Sequence, residues 1–257
     1  MIIINDELLD KGKVVLDDGY AFGRAVFETI LVKKKPVFLP EHLERLNSSL
    51  KKIGVNQYIT EEAVSQNIAK LACENCGVKI IVSDKNIVYI KREMNYKEVQ
   101  YINGFSMILS ESRRNKYSNL TYIKSVNYME NILERERAIN LGYEECLFLN
   151  TDGEVCEGSI SNVFLVRNNK IYTPSVQCGL LKGIVREWIL NRYHVEEGKY
   201  TLEDLYNSDG IFITNSLMGI MGISKINSHI VPKADIINII RGNYNEYINS
   251  EQFTVSS

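Results

Sequence analysis

Along the first hundred residues, hydrophobic positions come in short runs separated by polar or glycine-bearing turns. Phe27 to Val32 and Pro36 to Leu39 read as two extended segments across the polar tip Lys33-Lys34-Lys35, which predicts a hairpin. From Pro40 the period changes. Leu43, Leu46, Leu50 and Ile53 fall at spacings of three and four, proline suits the first turn, and Gly54 stands where a C-terminal cap belongs, so a helix is predicted. A second helix is predicted from Glu61 to Cys76. Val78 to Val82 and Ile87 to Ile90 read as strands paired across Asp84-Lys85-Asn86, and Phe105 to Leu109 as a further strand.

The polar stretch from Ser110 to Ser118 lacks a hydrophobic period and predicts an interdomain linker. Beyond it, Asn127 to Leu141 predicts a long helix. Its Tyr128, Ile132 and Ile139, with Met129 and Leu133 beside them, form one apolar stripe, and Gly142 ends it. Strands are predicted at Cys146–Leu149, Val163–Val166 and Lys170–Tyr172, with Asp152-Gly153 as a tight hairpin turn. Helices near Gly183–Arg192 and Thr201–Tyr206, then strands at Ile211–Thr214 and Ile220–Ser224, complete the pattern. No internal repeat is present. The class predicted is α+β with two domains. A small N-terminal α/β domain spans 1–109, the linker 110–118, and a larger C-terminal domain with central β-structure flanked by helices 119–257.

Composition narrows the function. The 257 residues are 45% hydrophobic and 24% charged, an ordinary globular balance that excludes disorder. Thirty Lys+Arg against 32 Asp+Glu leave a net charge of −2, so no basic field points to nucleic acid. The N-terminus meets acids soon after three isoleucines, unlike a signal peptide, and no apolar run approaches the roughly 18 residues of a membrane span. The five cysteines are sparse and odd in number, which predicts a reducing, cytoplasmic setting. Cys73 and Cys76 sit three apart in the predicted helix and read as packing.

Several chemistries drop out. The three histidines have no HExxH spacing, and no metal site is predicted. Ser159 stands where a P-loop needs lysine, no GxGxxG occurs, and Gly158-Ser159 lacks the GxSxG elbow. Three segments remain odd on structural grounds. Lys124 precedes a helix, where its charge opposes the helix dipole. Glu157 leads a polar, glycine-initiated turn between strands. Gly179 to Arg186 runs into a helix whose first amides are suited to an anion.

Together with Asp18-Gly19-Tyr20-Ala21-Phe22-Gly23-Arg24-Ala25-Val26-Phe27-Glu28-Thr29, His42-Leu43-Glu44-Arg45-Leu46, Lys124-Ser125-Val126-Asn127-Tyr128, Asn150 to Ser159, Ser161-Asn162-Val163-Phe164 and Thr214-Asn215-Ser216-Leu217-Met218, these segments carry a resemblance. The chain resembles, nearly end to end, the class IV pyridoxal-phosphate aminotransferase family. That family includes branched-chain and D-amino-acid aminotransferases and 4-amino-4-deoxychorismate lyase.

The resemblance implies a two-domain fold-type IV enzyme using pyridoxal 5'-phosphate, acting on a small-molecule amino substrate as a homodimer. It implies that Lys124 holds the cofactor aldehyde and later moves protons, that Glu157 pairs with the pyridine nitrogen, and that Arg45 binds the phosphate. The amides of Ile184 and Val185 and the Ser216 hydroxyl complete the phosphate cup, and Tyr128 bonds the phenolic oxygen. Asn215-x-Leu217-Met218 resembles the lyase pattern, with Gly219 where aminotransferases carry glutamate, and Thr29 matches a lyase threonine placed for proton transfer. Arg114 matches a position that can hold a substrate carboxylate, and Arg24 replaces the family's usual acid and adds a cation for a second one. The implied reaction converts 4-amino-4-deoxychorismate to 4-aminobenzoate and pyruvate in folate biosynthesis. The alternatives are an aminotransferase of the same family and a non-catalytic binding protein that keeps the fold.

Overall fold

A computed structural model describes residues 1–250; the last seven residues of the C-terminal domain predicted at 119–257 lie outside the described residues. The chain divides into two compact units. One comprises Met1–Asn95 and Ile123–Asn127 with residues 246–250, and the other Tyr96–Tyr122 with Tyr128–Asn245.

The first unit contains β1 (Ile2–Ile4), β2 (Glu7–Leu9), α1 (Asp18–Phe22), β3 (Val26–Val32), α2 (Leu39–Lys52), α3 (Glu61–Lys70), β4 (Cys76–Val82) and β5 (Ile87–Arg92). Its strands form one antiparallel sheet in the order β2-β1-β5-β4-β3. The predicted leucine stripe of α2 is the face that packs, with Leu39, Leu43, Leu46 and Leu50 buried among Val26, Ile30, Val78 and Ile80. Strand alternation puts Val26, Glu28 and Ile30 on the face toward α2, and Phe27 and Thr29 on the other.

The second unit contains α4 (Glu98–Asn103), β6 (Phe105–Arg114), α5 (Met129–Asn140), β7 (Glu145–Asn150), β8 (Val155–Gly158), β9 (Asn162–Arg167), β10 (Lys170–Pro174), α6 (Ile184–Leu190), β11 (Val195–Gly198), α7 (Leu202–Tyr206), β12 (Gly210–Asn215), β13 (Gly219–Ile226) and β14 (His229–Ile230). The last helix, α8, spans Asp235–Ile248. The sheet runs β11-β10-β9-β12-β13-β6-β7-β8, and β8 pairs back onto β9, so six strands close into a barrel-like ring. Phe105, Met107, Leu147, Val163, Leu165, Ile213 and Met221 belong to its apolar core. Among the described residues, no helix is long and apolar enough to cross a membrane.

Four elements differ from the sequence reading. Ser110–Arg114 is strand, not linker: after a register shift β6 continues along β7, pairing Arg113 with Leu149 and Arg114 with Asn150. Glu134 ties this stretch down, its carboxylate accepting from the Glu111 amide at 3.2 Å. The second arm of the first hairpin is reduced to a single bridge, Val32 to Pro36, because Phe38 turns left-handed (φ 56°) and α2 begins at Leu39.

Helix α3 stops at Lys70, since Ala72 (φ 46°) and Asn75 (φ 50°) are left-handed. That turn folds Cys73 back on Cys76, with Cα atoms 5.9 Å apart, and the pair is disulfide-bonded rather than packed as two thiols. Finally, α5 is inverted. Asn131, Glu134 and Ala138 face inward, whereas Met129, Ile132, Leu133 and Ile139 of the apolar stripe are exposed.

Leu46 sits in the α2–sheet core at 1% exposure. Leu46→Ala is expected to cost about 2–5 kcal/mol of unfolding free energy in urea denaturation, the range for a leucine cavity that cannot collapse.

Candidate functional site

In the first unit, Lys124 lies on a segment laid beside β3. The Phe27 amide donates to the Lys124 carbonyl at 2.8 Å and the Val126 amide to the Ala25 carbonyl at 3.0 Å. The Lys124 ammonium stands 4.5 Å from the centroid of the Phe27 ring, on the face of β3 that also carries Thr29. Lys79, opposite Thr29 in register, stands over the same ring at 4.2 Å, and burial pushes its pKa down.

Arg45 projects from α2 onto Glu28 of β3. Its Nε and Nη2 donate to the two carboxylate oxygens at 2.7 Å each, a two-pronged ion pair. His42, one turn earlier on the same helix face, meets Glu28 Oε2 through Nδ1 at 2.7 Å. Burial opposes charge on Glu28, but Arg45 and His42 outweigh it and hold the carboxyl well below its ordinary range. Burial also depresses His42; Glu28 works the other way, and the charges of Arg45 and Lys124 add to the depression. His42 is therefore the neutral imidazole, donating from Nδ1.

Arg24 is occupied elsewhere in this unit. It donates from Nε to the Ile53 carbonyl at 2.9 Å and from Nη2 to the Gly54 carbonyl at 2.5 Å, capping the end of α2, and pairs with Asp18 at 3.2 Å.

In the second unit, Glu157 is a buried residue of β8. Its Oε2 accepts from the Leu181 amide at 2.9 Å and its Oε1 lies 3.2 Å from Arg114 Nη2. Arg114 also donates to Glu130 at 2.7 Å and lies flat on Phe148, 3.8 Å from the ring centroid. The residue matched to a substrate carboxylate is thus placed on Glu157. Tyr128 donates from its hydroxyl to the Ser159 carbonyl at 2.7 Å, and burial, with the Glu157 charge beside it, pushes its phenol far above the usual range.

The Ser159–Ser161 turn is held from below by Glu145. That buried carboxylate accepts from the Ser159 amide at 3.0 Å, from the Ser161 hydroxyl at 3.0 Å and from the Ser159 hydroxyl.

Ile184 and Val185 open α6 behind Gly183, and no side chain caps them. A Cβ on Gly183 would lie 1.9 Å from Asn162 Oδ1, so a side chain there would require the Asn162 amide to move. Helix α6 packs on β12, which ends at Asn215. Asn215 Oδ1 accepts from the Leu217 amide at 3.0 Å and the Met218 amide at 2.7 Å, building the turn that carries Ser216. Beside it the Thr214 hydroxyl is buried without a hydrogen-bond partner.

The sequence reading missed Glu28, His42, Glu130 and Glu145. A charged residue in the middle of the apolar run Val26–Val32, with His42 and Arg45 three apart on the facing helix, was the available signal for the first two.

Residues 25–226 match the family described as amino-transferase class IV. Aminodeoxychorismate lyase of Bacillus subtilis (strain 168) is 29% identical over 88% of this chain and 86% of its own length. D-alanine aminotransferase of Bacillus licheniformis is 26% identical over 90% of this chain and 89% of its own. The branched-chain aminotransferase of Thermoproteus uzoniensis, solved with norvaline, superposes at a TM-score of 0.87 and 23% identity, covering 98% of this chain and 96% of that one, a likeness of fold.

The Glu28 carboxyl titrates lower folded than unfolded, so the stability it contributes is present above the ordinary carboxylate range and is lost as pH falls through and below it. Wild type should therefore lose more unfolding free energy between pH 7 and pH 3 than Glu28→Gln, measured by urea titration at both pH values. Equal losses would show that folding does not lower the Glu28 carboxyl, and a smaller loss in wild type would show that it is protonated in the folded protein.

Proposed function

The chain belongs to the amino-transferase class IV family, whose members are pyridoxal-phosphate-dependent enzymes, and we propose that it converts 4-amino-4-deoxychorismate to 4-aminobenzoate and pyruvate. The residues present fit the cofactor. A side-chain-free glycine before the uncapped amides of Ile184 and Val185, with a buried, unpartnered Thr214 hydroxyl next along β12, suits a phosphate ester. By the family resemblance Arg45 would bind the phosphate, and Ser216 would add a hydroxyl. Glu157, held between Arg114 and the Leu181 amide, would hold a proton at the ring nitrogen, and the protonated Tyr128 phenol would donate to the ring oxygen on turning its hydroxyl away from the Ser159 carbonyl. When bound, pyridoxal phosphate supplies an electron sink for the pair left by a departing proton.

Lys124 would hold the cofactor aldehyde at rest and, once displaced by the substrate's 4-amino group, take the proton from C4. Thr29, on the same face of β3, would relay a proton toward the departing enolpyruvyl oxygen, and loss of pyruvate makes the ring aromatic. Arg114 and Arg24 have no substrate role in this account, since one serves Glu157 and the other caps α2.

The observation that carries the lyase reading over amino transfer is Gly219, at the position of the aminotransferases' glutamate. Its φ is +69°, and a Cβ there would lie 2.8 Å from Tyr244 Cε1, so no glutamate can occupy the site without displacing a buried ring.

Purified enzyme should show an absorbance band near about 410–420 nm that borohydride abolishes and Lys124→Ala lacks. Given aminodeoxychorismate and no keto-acid acceptor, it should release 4-aminobenzoate and pyruvate, and Lys124→Ala should lose at least about 10³-fold in kcat. Amino transfer that requires an acceptor and yields no 4-aminobenzoate would make it an aminotransferase.

We also propose a homodimer, supported by the exposed apolar stripe of α5, where Met129 is 65%, Ile132 46% and Leu133 56% exposed. Ile132→Asp with Leu133→Asp should halve the mass in light scattering while leaving the circular dichroism spectrum of the fold intact. A monomeric wild type would refute this.

A further inference from the structure

We propose that Glu28 is a positioning residue for cofactor binding: it locks the Arg45 guanidinium in the plane that receives the phosphate ester, with His42 bracing its outer oxygen. The proposal rests on the assignment of Arg45 to the phosphate.

Glu28 is 1% exposed and stands on the α2-facing side of β3, between Val26 and Ile30. A carboxylate among aliphatic neighbours is an expensive choice for a strand core, and an apolar pair of similar size would serve stability as well or better. It is retained together with a cation that is not fully buried. The Arg45 side chain is 16% exposed against 1% for Glu28, so the pair has an inner, carboxylate end and an outer, guanidinium end.

Both Glu28 oxygens are used. Oε1 takes Arg45 Nε and Oε2 takes Arg45 Nη2, which fixes the plane of the fork to the plane of the carboxylate. Oε2 also receives the Nδ1 proton of His42, a residue with 0% exposure. His42 thereby stops the carboxylate from rotating about its own axis, which is the one motion the two Arg45 bonds would follow. The neutral imidazole adds a hydrogen bond without adding charge.

Two effects of Glu28 on a bound phosphate oppose each other. Its negative charge repels the anion, and its grip orders a long side chain that would otherwise lose rotamer freedom on binding. The charge is already paired through two short bonds and lies behind the guanidinium, so orientation outweighs repulsion. Without Glu28, the Arg45 head loses the two bonds that fix its plane.

The test compares binding of pyridoxal 5'-phosphate with binding of pyridoxal, which lacks the phosphate, to the full-length apoprotein by absorbance titration. Glu28→Gln should weaken pyridoxal phosphate at least about tenfold and leave pyridoxal within about twofold. His42→Phe, which keeps the ion pair, should give a phosphate-specific loss of roughly threefold and serves if Glu28→Gln does not fold. Arg45→Lys should reduce the preference for the phosphorylated form, and adding Glu28→Gln to it should change little further.

Equal weakening of both ligands, or unchanged or tighter pyridoxal phosphate binding in Glu28→Gln and His42→Phe, overturns the proposal for Glu28 while leaving Arg45 in place. A full preference for the phosphorylated form in Arg45→Lys instead overturns the assignment of Arg45, and the role of Glu28 falls with it.

Discussion

The amide of Phe27 and the carbonyl of Lys124, joined at 2.8 Å, begin a short backbone seam that the Val126 amide and Ala25 carbonyl continue at 3.0 Å. A lysine side chain has many rotamers and little intrinsic preference among them, so its amine is directed only if its backbone and its surroundings are both fixed. The seam fixes the backbone, because residues 124–126 become an extra edge of the sheet beside β3. The Phe27 ring then limits where the ammonium rests. Asn127 closes the other end of the segment by donating to the Gly23 carbonyl at 2.9 Å. Arg24, next in the chain, ties the same corner to the end of α2. The Lys124 amine is thus addressed through main-chain geometry, and substitutions that spare Lys124 but open the seam would move it.

Three strand carboxylates do most of the remaining positioning, and they differ in what answers their charge. Glu145 is answered by neutral donors: two serine hydroxyls and backbone amides, all but one from the Ser159–Ser161 turn. That arrangement makes it a support for the turn, whose Ser159 carbonyl in turn orients Tyr128 and Asn131. Glu28 is answered by a cation and an imidazole, and so directs the cation. Glu157 shares one guanidinium with Glu130, two carboxylates on a single arginine. Glu130 is the more exposed of the two, and Glu157 the buried one.

What could be read from the sequence followed period, and what could not followed hydrogen bonding. The leucine stripe of α2 and the short β runs of the barrel were legible because apolar burial drives them and leaves a spacing behind. Ser110–Arg114 was not, since a strand whose polar side chains are satisfied by Glu134, Glu130 and Glu157 has the composition of a loop. The same cause hid the orientation of α5. Its inner face is polar because Asn131 and Glu134 reach the Ser159 carbonyl and the Glu111 amide, so the hydrophobic stripe points the wrong way for a simple core reading. The end of α3 was hidden differently, since left-handed Ala72 and Asn75 are not residues whose type announces a turn as glycine would. The family motifs brought Lys124, Arg45, Glu157 and Tyr128 to attention, but motif matching alone assigned Arg114 to a ligand when the structure places it on Glu157.

The turn between β12 and β13 bears most on which reaction the fold serves. Asn215 uses its side-chain oxygen to cap two following amides, and Gly219 enters β13 in the left-handed conformation that favours glycine, against the Tyr244 ring. Each device serves backbone shape; neither presents an acid. An enzyme that passes an amino group between two acids must admit two substrates in succession and return the cofactor to its first form through a second proton relay. A lyase needs one substrate, one base and one acid at the leaving oxygen. Under the proposed lyase reading, Lys124 and Thr29, both on one side of β3, would meet that shorter requirement without help from the position where Gly219 stands. The conformation of Gly219 is also self-consistent with its neighbours, because Tyr244 is 1% exposed and belongs to α8, whose packing would have to change to admit a larger residue. Placing a glutamate at 219 is therefore not a local change, since its Cβ would press on the Tyr244 ring.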